Sequence, residues 1–213
     1  GTTASAGSDL SSFDALQGGE TLTLSGSGTS ASANVANGIA MSSNGNLALV
    51  DGTGLASNYS LNSTVINITP RVLNSSGSKI YDANTDALAA DITLSNLVSG
   101  ETLNHSGTAT ISSANTGNYT INNLTGITLA DNTGTASNYT LTGGTHNFTV
   151  NPKVVSIQGN KTYDGNTTIS SGDITSITDT VGAETLVISS GSGIVSSANA
   201  ATYASADINE GTL

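Results

Sequence analysis

The chain has 213 residues, with four Lys or Arg against fifteen Asp or Glu, no Cys, and a mean hydropathy close to zero. A formal charge of −11 repels phosphate backbones and anionic headgroups, which argues against nucleic-acid partners and membrane insertion, and without Cys no disulfide or thiolate metal site can form. Ser, Thr, Asn and Gly carry the solubility, while short runs of Val, Ile, Leu and Ala supply a core poor in aromatics, so the composition favours a folded chain over a disordered one.

The apolar runs are short, β-branched and alternating, the pattern of strands. In chain order the predicted strands are Thr21–Leu24, Asn46–Val50, Tyr59–Leu61 and Val65–Thr69. They continue with Asp91–Leu94, Thr108–Ile111, Tyr119–Ile121, Ile127–Leu129, Tyr139–Leu141 and Asn147–Val150. The last are Val154–Ile157, Ile174–Ile177, Thr185–Ile188 and Ala201–Tyr203. Gly, Asn and Ser turns separate them, and no window has helical periodicity.

The same markers return at one period. Lys161-Thr162-Tyr163-Asp164-Gly165-Asn166-Thr167-Thr168 recurs as Lys79-Ile80-Tyr81-Asp82-Ala83-Asn84-Thr85-Asp86, 82 positions earlier, and Gly1-Thr2-Thr3-Ala4 matches the tail of a further copy. Pro70 and Pro152 are also 82 apart. Ala-Ser-Asn-Tyr recurs at Ala56 and Ala136, Glu-Thr-Leu at Glu20, Glu101 and Glu184, and Ser-Ala-Asn at Ser32, Ser113 and Ser197. One- and two-residue slips belong in loops. These spacings predict three units, 1–70 with its first residues missing, 71–152 complete and 153–213 truncated, within a longer array. A filamentous β-helix would repeat at about 20 residues, and nothing here does. Seven or eight short strands per unit suit a small sandwich. The fold expected is all-β, a tandem array of immunoglobulin-like sandwiches in an elongated rod, with β-grasp-like units as the alternative. Two or three residues, one of them Pro, are left between strands at each unit boundary, and Pro stiffens such a link.

Together, Lys-x-Tyr-Asp-Gly-x-Thr-Thr, Gly-Glu-Thr-Leu, Ser-Ala-Asn, Asn-Tyr-Thr-Leu and a closing Val/Ile-x-Pro-Lys/Arg resemble the YDG repeats of large secreted bacterial adhesins of the filamentous-haemagglutinin type. The resemblance runs the length of the chain. It implies a non-enzymatic stalk of a secreted or cell-surface protein that supports adhesion, aggregation or biofilm formation. The partners it implies are neighbouring repeats, with a host-cell or matrix ligand, glycan or protein, bound elsewhere on the parent chain. A direct glycan- or protein-binding module is the alternative. Ala83 replaces the motif Gly, and Gly38 stands where Tyr119 and Tyr203 stand later, so these positions read as turn and packing positions.

No catalytic, cofactor or metal residue is assigned. Asp82 and Asp164 could ligate calcium with Asp86, Asp91 or Asp173, but close, fixed spacing of oxygen ligands is missing, and a capped turn with Gly165 at positive φ is the simpler reading. Tyr59 and Tyr139 read as core or corner tyrosines whose hydroxyls reach the backbone, against a sugar-stacking role. His105 and His146 lack a third ligand or a nucleophile. Glu20, Glu101 and Glu184 read as solvated strand starts, one per unit where glycoside hydrolysis needs a facing pair. The Asn-x-Ser/Thr sites, Asn58 and Asn166 among them, barely exceed what so Asn-, Ser- and Thr-rich a chain produces by chance. Lys79 and Lys161 are candidate donors of an isopeptide crosslink to Asn, with no evident assisting acid.

Overall fold

The structure, a computed structural model, describes residues 4–6, 16–62, 65–204 and 207–211; the Gly1–Thr3 part of the proposed first YDG tail lies outside them. The N-terminal segment contains β1 (Ala4–Ala6), β2 (Leu22–Ser25), β3 (Ser27–Ser30), β4 (Ala36–Ser43), β5 (Ala48–Asp51) and β6 (Val65–Ile68). The middle segment contains β7 (Arg71–Val72), β8 (Asn74–Ile80), β9 (Asp86–Leu88), β10 (Ile92–Ser95), β11 (Asn104–Ile111), β12 (Gly117–Asn123), β13 (Ile127–Ala130), β14 (Tyr139–Thr140) and β15 (His146–Asn151). The C-terminal segment contains β16 (Ser156–Gly159), β17 (Thr168–Ser170), β18 (Ile174–Thr178), β19 (Ser192–Val195) and β20 (Ile208–Asn209). Helical structure among the described residues amounts to three-residue 3₁₀ turns such as Ala89–Asp91 and Ala136–Asn138. The helix that a β-grasp unit lays across its sheet is therefore missing there, and the fold is all-β.

In the middle segment seven strands form one sheet in the order β10-β8-β15-β12-β11-β13, with β9 also on β11. The 3₁₀ turn Ala89–Asp91 carries the chain from β9, on β11, to β10, on β8. That corner brings the two sides of the sheet together into a nearly closed barrel. β15 runs antiparallel to β12 and parallel to β8, from His146 opposite Ser75 to Asn151 opposite Ile80. Its side chains alternate as the strand period requires: His146, Phe148 and Val150 are buried, whereas Asn147 is exposed. Phe148, 1% exposed, sits in a core otherwise made of small and β-branched residues, Ala87, Ala109, Ile92, Ile111, Ile121 and Ile127 among them.

β8 escapes the apolar-alternation reading because its inward positions are Ser75, Gly77 and Lys79, while Ile80 points outward. Gly77 has a packing reason. A Cβ there would lie 2.4 Å from the Asp91 carbonyl oxygen and 2.8 Å from the Phe148 ring. The crossing of Gly107 and Gly126 was equally invisible to the hydropathy pattern. Gly107 has φ +101°, and a Cβ on it would lie 1.9 Å from the Gly126 oxygen; a Cβ on Gly126 would lie 2.0 Å from the Thr108 oxygen. Gly26 and Gly45 meet the backbone of their hairpin in the same way, at 2.2 Å and 2.4 Å.

The flanking segments repeat parts of this pairing. β1 pairs β3 as β9 pairs β11, β2 pairs β5 as the start of β11 pairs β13, and β6 pairs β4 as β15 pairs β12. β16 pairs β18 as β8 pairs β10, and β17 pairs β19 as β9 pairs β11. Three predicted strands are not strands. Tyr59–Leu61 follows a 3₁₀ turn in irregular structure, Ala201–Tyr203 is irregular, and so is Thr185–Ile188, where Leu186 and Val187 are exposed. An apolar run becomes a strand only beside a partner, and among the described residues none lies next to 185–188; in the middle segment β13 supplies one. β16 starts at Ser156 rather than Val154, leaving residues 152–155 between β15 and β16 against only Thr69 and Pro70 between β6 and β7.

Gly107→Ala is expected to lower stability by roughly 3 kcal/mol or more, since positive φ and a backbone clash combine. Gly143→Ala, at φ +86° with open space around it, should cost only about 1 kcal/mol. Equal losses in denaturant titrations would show that the crossing does not constrain the hairpin.

Candidate functional site

The Tyr-Asp-Gly loop is built around an ammonium group. Lys79 projects from β8 with its side chain 8% exposed, and its Nζ donates to the Asn84 carbonyl, Asn84 Oδ1 and the Asp86 carbonyl, each at 2.8 Å. Asp82 Oδ1 pairs with the same Nζ at 2.8 Å, while Asp82 Oδ2 accepts from Asn84 Nδ2 at 2.9 Å. Lys161 repeats the arrangement with Asn166, the Thr168 carbonyl and Asp164. The loop oxygens that a calcium ion would need thus converge on a lysine already present. Asp82 and Asp164 also stand where an acid assisting a Lys–Asn crosslink would have to stand. The amine is paired with that carboxylate and hydrogen-bonded to three further loop oxygens.

The turn at the loop tip needs positive φ, +78° at Gly165 and +63° at Ala83. Ala83 therefore occupies the left-handed region that costs an L-residue about 1 kcal/mol or more. The Asp164 carboxyl lies below the usual aspartate value of 3.8, first because of Lys161 and then because of the Asn166 amide. For Asp82, burial pushes upward, but Lys79 and Asn84 prevail and the value is again lowered.

Glu20 and Glu101 are half-buried acceptors rather than solvated strand starts. The Tyr59 hydroxyl donates to Glu20, and the Tyr139 hydroxyl donates to Glu101. Each tyrosine oxygen also accepts a backbone N–H, from Gln17 at 3.3 Å and from Val98 at 3.2 Å. Tyr139 is 6% exposed, and burial followed by the Glu101 carboxylate raises its phenol above the ordinary value.

Glu184 receives a different tyrosine. Its Oε1 accepts from the Tyr81 hydroxyl, across the boundary between the middle and C-terminal segments, beside an open cavity of about 470 Å³ lined by Tyr81, Pro152, Val155 and Leu186. The other boundary is bridged by Asn138, whose Oδ1 accepts the Val35 N–H at 2.8 Å and whose Nδ2 donates to Asn34 Oδ1 at 3.0 Å. Residues that the sequence presents as separate recurring marks thus meet in pairs, which the spacing of the marks alone does not disclose. Tyr163, the counterpart of Tyr81, is 67% exposed.

The two histidines do not converge. His146 Nε2 donates to the Leu141 carbonyl at 2.8 Å, and its Nδ1 accepts from Ser75 Oγ at 2.9 Å. His105 Nε2 lies 3.0 Å from the carbonyls of both Ala89 and Ile92, bracing the 3₁₀ corner. Among the described residues no group of three or more His, Asp or Glu is arranged to hold a metal ion. None of their helices is long and apolar enough to cross a membrane.

A YDG domain is detected at residues 67–147, where the family model of that description matches. The match covers the middle segment up to the start of β15 and includes the Lys79 loop, Glu101 and Tyr139. Comparison with curated proteins and with solved structures produced no match.

Ala83→Gly is expected to raise stability by about 1 kcal/mol by removing the left-handed penalty, read as a higher denaturation midpoint. Tyr139→Phe should cost about 1 kcal/mol through the lost hydroxyl bonds, and Tyr139→Ala roughly 3 kcal/mol or more. Because the folded values of Asp82 and Asp164 are depressed, their contribution is complete above the unfolded value and is lost as pH falls through the folded one. Thermal midpoints should therefore drop as pH is taken below 3.8, and Asp164→Asn should flatten that acid limb. An unchanged limb would remove the loop from the acid response.

Proposed function

We propose that the chain is a run of tandem units of about 82 residues serving as a non-enzymatic stalk in a secreted bacterial surface adhesin of the filamentous-haemagglutinin type. Such a stalk would carry adhesion, aggregation or biofilm functions located elsewhere on the parent protein. The units are small sandwiches or barrels placed end to end. The observation that carries this reading is that recurring residues bridge the segment boundaries: Asn34 with Asn138, and Tyr81 with Glu184. A spacer must transmit orientation and load between units, and side-chain bridges beside Pro70 and Pro152 favour that over free swivelling. The detected YDG domain and the recurring strand pairings support the same reading. The aromatic residues are mostly engaged, with Phe148 and Tyr139 buried and Tyr59 and Tyr81 bonded to carboxylates. That is the pattern of a scaffold rather than of a sugar-stacking groove.

Small-angle scattering on the whole chain tests it. An elongated profile is expected, and it should become measurably more flexible when Tyr81→Phe is combined with a Gly-Ser insertion after Pro152. A compact profile, or a wild-type chain already hinged at that point, would overturn the stalk reading. Saturable sugar-specific binding on a glycan array would favour the binding-module alternative.

A further inference from the structure

The N-terminal and middle segments meet through one side-chain amide. The turn between β3 and β4 supplies the Val35 N–H, which donates to Asn138 Oδ1 at 2.8 Å, and Asn138 Nδ2 donates to Asn34 Oδ1 at 3.0 Å. The backbone donor fixes which end of the Asn138 amide is oxygen, and that in turn makes the Asn34 oxygen the acceptor. Both ends of the Asn138 amide are thus engaged across the boundary.

Each side of the contact is shaped within its own segment. The Asn34 N–H donates to the Ser32 hydroxyl at 3.0 Å, and the hydroxyl of buried Ser30 donates to the Ser32 carbonyl at 2.6 Å. On the other side, the Asn138 N–H donates to the Thr135 carbonyl at 3.0 Å and the Ala136 N–H to Asp131 Oδ1 at 2.7 Å. The next residue, Tyr139, is buried and bonded to Glu101, so the asparagine is presented from the core. Both turns recur with their internal bonds. The Asn115 and Asn199 N–H groups donate to the Ser113 and Ser197 hydroxyls at 3.1 and 3.2 Å. The turn Ala56–Asn58 repeats the second half, with Asn58 N–H on the Leu55 carbonyl and Ala56 N–H on Asp51 Oδ1.

Charge makes the chemistry of this contact informative. Residues 1–70 carry four acids and no Lys or Arg, and residues 71–152 carry five acids against two bases. Two such segments, with only Thr69 and Pro70 between their strands, repel each other. The contact that holds them contains no ionisable group, so salt does not screen it. The short link also keeps the two turns at high effective concentration, which lets two hydrogen bonds set an orientation that would not hold separate molecules together.

We propose, building on the stalk reading, that the Ser32–Val35 turn is a docking face whose partner is the Ser-Asn-Tyr asparagine of the adjoining unit, and that this uncharged joint sets the angle between the two. The contact is heterologous. One unit offers its Ser-Ala-Asn turn and the next its Ser-Asn-Tyr turn, and the middle segment carries both, at Asn115 and Asn138. A joint of that kind can repeat head to tail along a rod.

Amide hydrogen exchange on the whole chain tests it. Asn138→Ala should speed exchange of the Val35 amide about two- to tenfold, the equivalent of one net hydrogen bond. Asn34→Ala should act in the same direction, and adding it to Asn138→Ala should change nothing further. Asn58→Ala, in the matching turn of the N-terminal segment, should leave Val35 as it was. The β15 amides report that the middle segment is folded in each variant, and Asn34→Ala, made outside that segment, gives the answer should Asn138→Ala unfold it. Val35 protection should also persist at about 1 M salt, where an ionic contact is screened. A Val35 amide indifferent to both substitutions, independent effects that simply add, or protection lost in salt would overturn the joint. Scattering measures the elongation of the chain separately, so the joint and the stalk reading fail on different data.

Discussion

The parallel pairing of β15 with β8 is the constraint on which the middle segment depends. Strand β8 lies near the start of the segment and β15 closes it, so the pairing joins its early and late parts and seals the sheet around Phe148 and Val150. Hydrogen bonds that link residues some seventy positions apart form late and cost loop entropy, yet without them Phe148 and Val150 would face water. The polar inner face of β8 follows from the same closure. Ser75 meets His146, Gly77 makes room for Phe148, and Lys79 reaches into the following turn.

A core with few aromatics leaves each segment short of hydrophobic stabilisation, and polar groups fixed at specific points make up part of the difference. The Lys79 and Lys161 ammonium groups each organise a turn from within, holding a carboxylate, a side-chain amide and two carbonyls around one cation. The Tyr59–Glu20 and Tyr139–Glu101 bonds tie the end of a segment back to its early part. The Tyr81–Glu184 bond applies the same chemistry between segments. The recurring Glu-Thr-Leu carboxylate thus accepts a tyrosine hydroxyl within its segment at Glu20 and Glu101 and across a boundary at Glu184.

Much of this was legible in the sequence. The recurrence of Tyr-Asp-Gly and the alternating apolar runs were enough for the all-β class, for most strands of the middle segment, and for positive φ at Gly165. The partners of the glutamates were not legible, because Glu-Thr-Leu and Asn-Tyr-Thr-Leu lie some forty positions apart and nothing local links them. Strand β8 was hidden by its Ser and Gly, and Thr185–Ile188 looked like a strand because apolar alternation records the capacity to pair rather than the presence of a partner.

The sequence by itself determined the local conformations and their order. Turn residues set φ, β-branched runs favour extended backbone, and Lys, Asp and Asn at fixed short spacing close a loop from their own atoms. The tertiary structure alone decided which edges meet: β15 against β8 in parallel, Gly107 across Gly126, Tyr139 onto Glu101, and Tyr81 onto Glu184. The physical reason is range. Backbone preference and side-chain capping act within a few residues, whereas pairing and burial depend on where the folded chain brings distant positions together.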